Sequence, residues 1–86
     1  MVMRGRQIQV ELLFDRPTAA WARDRIWHPS QQLTPVRDGR LRMTLRVADT
    51  AELIRWVLSF GRGVRVVKPL ELREQVQREA LAVARQ

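Results

Sequence analysis

Hydrophobic residues alternate with other residues from Gln7 to Phe14. One side of this segment carries Ile8, Val10, Leu12 and Phe14, and the other carries Gln9, Glu11 and Leu13. A period of two places successive side chains on opposite faces of an extended chain. The pattern therefore predicts a first strand with one buried face.

Asp15 and Pro17 predict the start of a short helix directly after this strand. An aspartate can accept hydrogen bonds from the free amides of a first turn, where proline is tolerated because its missing N–H has no helical partner. We expect the helix to end near Trp27, before Pro29. Its predicted inner face consists of Ala19, Ala22 and Ile26.

A hairpin is predicted next. Gln31 to Val36 indicates a weak strand, which Pro35 restricts to a sheet edge. Asp38-Gly39 can supply the positive φ angles of a tight turn. Arg40 to Val47 is the clearest strand pattern of the chain. One of its faces holds Leu41, Met43, Leu45 and Val47, and the other holds Arg40, Arg42, Thr44 and Arg46.

A second helix is predicted from Asp49, because Asp49 and Glu52 have capping-box spacing. Gly61 is expected to end it, as glycine commonly does in the left-handed position after a helix. The apolar stripe of this helix consists of Leu53, Ile54, Val57, Leu58 and Phe60.

The remaining chain predicts a short strand from Val64 to Val67 and a third helix from Leu70 to about Arg85, separated by Pro69. The predicted inner face of this helix consists of Leu72, Val76, Ala80 and Val83.

The element order β-α-β-β-α-β-α indicates an α+β (α/β) fold of the ferredoxin-like, split-βαβ type. Right-handed crossovers would place the first two helices on one face of a four-stranded antiparallel sheet, with the third helix as a C-terminal addition. We expect residues 1–86 to form a single domain and the first six residues to be an irregular lead-in.

The amino-acid composition limits the kinds of site and the compartment that we expect for this chain. The chain has no cysteine, which excludes disulfides and thiolate sites and favours a cytoplasmic protein. It has no apolar run long enough for a signal peptide or a membrane span. Lys plus Arg number 16 against 9 acidic residues, and Lys68 is the only lysine. An arginine excess reflects either a GC-rich genome or a surface that binds phosphate.

Candidate catalytic, metal and cofactor sites are sparse. His28 is the only histidine, so a metal site lacks converging ligands, and Asp24 is the nearest carboxylate that could orient the ring as a base. We expect a structural role for His28 and no enzymatic activity, bound metal or cofactor. Gly61-Arg62-Gly63 follows a helix and lacks phosphate-loop spacing, so we interpret it as a helix end.

The predicted sheet has a basic open face formed by Arg40, Arg42, Arg46 and, if Val64 and Val66 point inward, Arg65. Such a face can bind nucleic-acid backbone, although it lacks the aromatic side chains that RNA-recognition domains use for stacking. Alternatively, it is solvated or covered by a partner. Trp21 and Trp56 lie beside the predicted apolar stripes, and each either contributes to an interface or covers the margin of the core.

Several motifs together resemble a known family. They are Trp27-His28-Pro29-Ser30-Gln31, the Asp38-Gly39 turn, Arg46-Val47-Ala48-Asp49-Thr50 and Leu58-Ser59-Phe60-Gly61. In this order, over about residues 7–80, they resemble the C-terminal extension (WCX) that follows the WYL domain in bacterial transcription regulators. The resemblance implies a ferredoxin-like fold and a structural role for Trp27, His28, Pro29 and Gln31 in the loop before the edge strand.

The resemblance also implies a function. In such regulators a helix-turn-helix and a WYL domain precede the extension, so we expect this chain to be a fragment of a longer regulator. The implied roles are dimerisation, as a homodimer, and transmission of effector binding, where effectors of the wider family include nucleic acids. The alternatives are direct binding of single-stranded nucleic acid or nucleotides through the arginine face and, with less support, a small-molecule sensor.

Overall fold

The computed structural model describes residues 6–86. Of the lead-in predicted for the first six residues, 1–5 lie outside the described residues. Arg6 is joined to the end of β3, because its carbonyl accepts a hydrogen bond from the Asp49 N–H (2.8 Å). Residues 6–86 form four strands and three α-helices, as follows: β1 Gln7–Phe14, α1 Arg16–Ala22, β2 Gln32–Pro35, β3 Leu41–Ala48, α2 Ala51–Leu58, β4 Val64–Lys68 and α3 Leu70–Ala84.

The strands form one antiparallel sheet in the order β2-β3-β1-β4. β1 pairs with β3 over its whole length, from Gln7 opposite Ala48 to Phe14 opposite Leu41. This is the ferredoxin-like arrangement with an extra C-terminal helix, as predicted. The edge position of β2 is also confirmed.

One face of the sheet forms the core with the helices. The β1 and β3 side chains at alternate positions are completely or almost completely buried there, together with small and branched side chains of α1, α2 and α3. The strand residues of this core are Val10, Leu12, Phe14, Leu41, Met43, Leu45 and Val66. The period-two pattern thus selected the correct buried face of each long strand.

The predicted helix cap at Asp15 and the predicted turn at Asp38-Gly39 are both confirmed. The Asp15 carboxylate accepts a hydrogen bond from the Thr18 N–H (3.0 Å) and caps α1. Asp38 and Gly39 have φ angles of 65° and 76°, which are the two left-handed positions of a type I′ hairpin turn. The turn joins β2 to β3 in register.

The predicted extension of α1 to Trp27 is wrong. The helix ends at Ala22, whose carbonyl accepts a hydrogen bond from the Trp27 indole N–H (3.3 Å). A side chain from the following loop thereby satisfies a terminal carbonyl and ends the helix. Ile26 therefore leaves the predicted inner face and is 85% exposed.

The predicted capping box of α2 is also wrong. The Asp49 N–H is bonded to Arg6, so Asp49 still continues the pairing of β1 with β3. Thr50 occupies the N-cap position, without a side-chain hydrogen bond, and the helix begins at Ala51. At the other end, α2 stops at Leu58, and Gly61 adopts a φ of 62° after two turn residues.

α3 packs through its first half only. Leu72 is buried and Val76 is half-buried, but every residue from Gln77 onward is exposed. Ala80 and Val83, predicted to face inward, are therefore exposed, although Ala80 still lines a groove with Val57 and Leu58 of α2. Within residues 6–86, no helix is both long enough and apolar enough to cross a membrane.

Candidate functional site

The three tryptophans and both phenylalanines form one aromatic cluster. Phe60 contacts all four of the other rings, and the Trp27 ring centroid lies 5.2 Å from Trp21, 5.4 Å from Phe60 and 6.1 Å from Trp56. Phe60 also contacts Phe14 of the core at 4.9 Å. The loop after α1 is thus attached to the core through Trp27, as expected.

Gln31 holds this loop together. Its side-chain oxygen accepts hydrogen bonds from the Trp27 and His28 N–H groups (2.7 and 3.2 Å). Its side-chain amide donates to the Arg25 carbonyl (3.0 Å). Pro29 lies at the second position of a turn that the Gln31 N–H closes on the His28 carbonyl (3.1 Å), where its fixed φ is favourable.

Ser30 joins the loop to the sheet. Its hydroxyl oxygen accepts a hydrogen bond from the Arg46 N–H (2.9 Å) and its hydroxyl lies 3.1 Å from the Arg46 carbonyl, to which it donates. The pairing of β2 with β3 begins two residues later, at Gln32 opposite Thr44. The serine side chain therefore replaces the next backbone pair of the ladder.

His28 supports this arrangement. Its Nδ1 accepts a hydrogen bond from the Ser30 N–H (3.1 Å) and lies 2.7 Å from the Ser30 hydroxyl. Sequence reasoning placed His28 in the loop but did not single out Ser30. The signal available was the place of Ser30 within the Trp27-His28-Pro29-Ser30-Gln31 motif, to which no role for this side chain was attached.

An apolar groove lies on the helix side of the sheet, between this loop and the start of α2. We call it the tryptophan groove. Its volume is about 320 Å³, and its lining consists of Trp27, His28, Leu45, Val47, Ala48, Thr50, Glu52, Leu53 and Trp56.

Two side chains are exposed in the segment that leads to the groove-lining Trp27. Ile26 directly precedes Trp27 in the chain, and Trp21 is 47% exposed. The Arg25 guanidinium stacks over Trp21, 4.9 Å from the ring centroid. Of the two predicted interface tryptophans, Trp56 is half-buried and lines the groove, whereas Trp21 lies at the outer margin of the aromatic cluster.

The other face of the sheet has no helix packed on it and carries the predicted arginines. Arg42 and Arg46 are exposed on β3 and Arg65 is exposed on β4. Arg40 precedes β3, is half-buried and donates from Nε to the Arg37 carbonyl (3.2 Å). Leu13 of β1 lies between Arg42 and Arg65 in register, so these three side chains share the open face.

These arginines do not form a single row along β3. Arg46 lies opposite Gln9, toward the other end of the sheet. Around Leu13, by contrast, Arg40, Arg42 and Arg65 are joined by Arg62, from the turn before β4, and by Arg73, from the first turns of α3. Sequence reasoning interpreted Gly61-Arg62-Gly63 as a helix end and did not consider Arg73, so neither arginine was assigned to the basic face.

Carboxylates balance part of this charge. The Glu11 carboxylate lies 3.3 Å from the Arg42 Nε. The pKa of Asp15 is lowered by its hydrogen bonds with Thr18, with a smaller contribution from the positive charge of Arg62. Within residues 6–86, no group of three histidine, aspartate or glutamate side chains is placed to hold a metal ion, and no buried side-chain polar atom lacks a hydrogen-bond partner.

Comparison with known families assigns most of the chain to one domain family. The family model of the WCX domain matches residues 6–84. The chain belongs to the WCX domain family. This membership places it in the context of WYL-type transcription regulators, as the sequence motifs implied. A search of the curated proteins finds no match.

The Trp27–Gln31 motif of this WCX domain has a structural role in the loop after α1. Each side chain of the Trp27–Gln31 segment except Pro29 makes a contact described above, and together these contacts fix the loop against α2 and β3. The motif of this WCX domain builds one wall of the tryptophan groove.

Proposed function

We propose that the WCX domain is a non-enzymatic pairing module of a WYL-type transcription regulator, and that two copies associate through the tryptophan groove. The observation that carries this proposal is the 85% exposure of Ile26, which directly precedes the groove-lining Trp27 in the chain. Burial of a large aliphatic side chain contributes about 1.5 to 3 kcal/mol. A partner that covers both Ile26 and the groove would therefore gain free energy by removing this apolar surface from water.

The groove and Ile26 are suited to a symmetric contact. In a two-fold dimer both copies use the same surface patch, so each contact between two residues occurs twice, once in each direction. Ile26 and the groove wall at Trp27 are neighbours in the chain. If the axis passes beside them, Ile26 of each copy enters the groove of the other.

The hydrogen bonds already made by the polar side chains support a non-enzymatic role. The ring of His28 is already engaged by Ser30, and the carboxylate of Asp15 is engaged as a helix cap. The Ser30 hydroxyl beside His28 is itself bonded to the N–H and the carbonyl of Arg46. The polar side chains of the groove, His28, Thr50 and Glu52, line an otherwise apolar surface.

A pairing contact of this kind gives the regulator a way to respond to an effector. An effector that binds one paired arrangement better than another shifts the population toward it by its difference in affinity. Transmission through the WCX domain then requires only that its pairing be coupled to the arrangement of the preceding domains.

Sedimentation equilibrium tests the proposal. We expect the wild-type chain to dimerise in the micromolar range and Ile26→Asp to weaken dimerisation at least tenfold, which corresponds to about 1.4 kcal/mol. Trp56→Ala should weaken it as well, because this ring lines the groove.

Leu81→Asp is the matched control, since Leu81 is a similarly exposed aliphatic residue on the far half of α3. It should leave dimerisation unchanged. A wild-type chain that remains monomeric at the highest attainable concentration contradicts the proposal, and so does a dimer that is lost in Leu81→Asp but retained in Ile26→Asp.

A further inference from the structure

We propose that the arginines around Leu13 bind the phosphate backbone of single-stranded nucleic acid. We call this surface the arginine corner. It consists of Arg40, Arg42, Arg62, Arg65 and Arg73. The function proposed above does not require it, because the tryptophan groove lies on the opposite face of the sheet.

The arginine corner contains two adjoining depressions. One, of about 180 Å³, is lined by Arg40, Arg62 and Arg65. The other, of about 320 Å³, is lined by Arg42, Arg65 and Arg73. Leu13 and Arg65 belong to both. Two anionic groups bound side by side would therefore share the Arg65 guanidinium.

Most of the positive charge here is available to a ligand. Within residues 6–86, the contact between Arg42 and Glu11 is the only ion pair shorter than 4.0 Å. Asp15, the other carboxylate at these depressions, already accepts a hydrogen bond from Thr18. Arg40, Arg62, Arg65 and Arg73 consequently have no ion-pair partner in the part of the chain that the structure describes.

The chemistry of the groups favours phosphate. A guanidinium presents a planar fork of donors that matches two phosphate oxygens, and it keeps its charge at every physiological pH. The corner runs across the sheet from β3 to β4, which are separated by two strand spacings, or about 10 Å. Successive phosphates of a flexible strand can adapt to such a span.

The shape of the surface favours a polymer over a small anion. The depressions are shallow and open onto the exposed sheet face, so a chain can enter and leave on both sides. All five aromatic residues belong to the cluster around Trp27 and none lines these depressions. Without aromatic stacking, binding should show little base preference.

The test is fluorescence anisotropy of a labelled oligothymidylate with the whole chain at a series of NaCl concentrations. Three or four phosphate contacts give a slope of log affinity against log salt of roughly −2 to −3 for a single strand. Arg65→Gln and Arg73→Gln should each weaken binding and reduce the slope by about 0.7, the value of one contact. Arg65→Lys keeps the charge and should keep the slope.

Arg55→Gln is the matched control, because Arg55 is an exposed arginine on α2. It should preserve both affinity and slope, and so should Ile26→Asp. Circular dichroism verifies that every variant is folded.

Several results would overturn the proposal. One is a loss of binding in Arg55→Gln equal to that in Arg65→Gln, and another is the absence of oligonucleotide binding at low salt. Tighter binding of a duplex of the same length would also contradict it. So would competition by polyglutamate or by inorganic tripolyphosphate as strong as that by the oligonucleotide. The polyglutamate result would indicate an acidic protein partner, and the tripolyphosphate result a small polyphosphate ligand.

Discussion

At the scale of single residues, hydrogen bonds from a few side chains decide where the regular elements stop. Ser30 takes the place of a backbone pair on β3, Gln31 binds three groups of its own loop, and the Trp27 indole ends α1. None of these contacts has a periodic signature in the sequence. They convert the segment after α1 from a helix continuation into a fixed loop.

Ser30→Ala should destabilise the chain by about 1 kcal/mol, the net value of a typical lost hydrogen bond at a partly exposed site. The reason is that the N–H and carbonyl of Arg46 lose their partner at the sheet edge. The midpoint of urea denaturation measures the change. Ser59→Ala is the control, because the Ser59 hydroxyl bonds only a carbonyl of its own helix, that of Trp56. Equal losses in the two variants would contradict the role assigned to Ser30.

Asp15 predicts a pH dependence. Its pKa in the folded chain is lowered, first by its hydrogen bonds with Thr18, relative to the unfolded value near 3.8. A carboxyl group with a lowered folded pKa contributes stability above the unfolded pKa, and that contribution is lost as the pH falls through the folded pKa. Asp15→Asn keeps a good cap without the charge. Between neutral pH and about pH 3, the urea midpoint should therefore fall further in the wild type than in Asp15→Asn. Identical acid profiles would contradict this role.

At the scale of elements, the turn before β4 is packed tightly against the start of α1. The Asp15 N–H donates to the Gly63 carbonyl (2.9 Å). A Cβ on Gly63 would overlap the Thr18 side-chain oxygen and lie 2.8 Å from its Cβ. Gly63 is required here by close approach, since its own φ is not in the left-handed region.

Gly63→Ala should therefore destabilise the chain by about 1 to 3 kcal/mol, as overpacking of a close contact does. Thr18→Ala removes the hydroxyl, which is the atom closest to the added Cβ, and leaves the Thr18 Cβ and the backbone N–H that Asp15 caps. The double variant should recover part of the loss, which a double-mutant cycle by urea denaturation measures as a coupling energy. Additive losses would contradict the packing explanation.

Periodicity predicted the elements well and their ends less well. The buried faces of β1 and β3 and the ferredoxin-like order follow from alternation and from turn residues such as Asp38 and Gly39. The capping box failed because strand pairing to Arg6 retains Asp49 in the sheet. The inner face of α3 was only half correct, because a helical pattern does not reveal how far the neighbouring elements extend. Arg62 and Arg73 were missed because only the fold brings them beside Leu13.

At the scale of the whole molecule, the two faces of the sheet have different roles in our account. The helix side presents Ile26 and the tryptophan groove to a second copy. The open side presents the arginine corner to phosphate. Because the sheet separates the two surfaces, Ile26→Asp should weaken pairing without affecting oligonucleotide binding, and Arg65→Gln should weaken oligonucleotide binding without affecting pairing. Loss of both properties in either variant would contradict this separation.

The most direct test of the pairing proposal is a cysteine cross-link between copies. The chain has no cysteine of its own, so each introduced thiol is unique. A disulfide forms only when the two Cα atoms come within about 7 Å. An oxidised mixture of Ile26→Cys and Glu52→Cys chains should yield a mixed dimer, because Glu52 lines the groove that Ile26 is proposed to enter. A mixture of Ile26→Cys with Leu81→Cys should not. Equal yields from the two mixtures, or no mixed dimer from the first, would contradict the account.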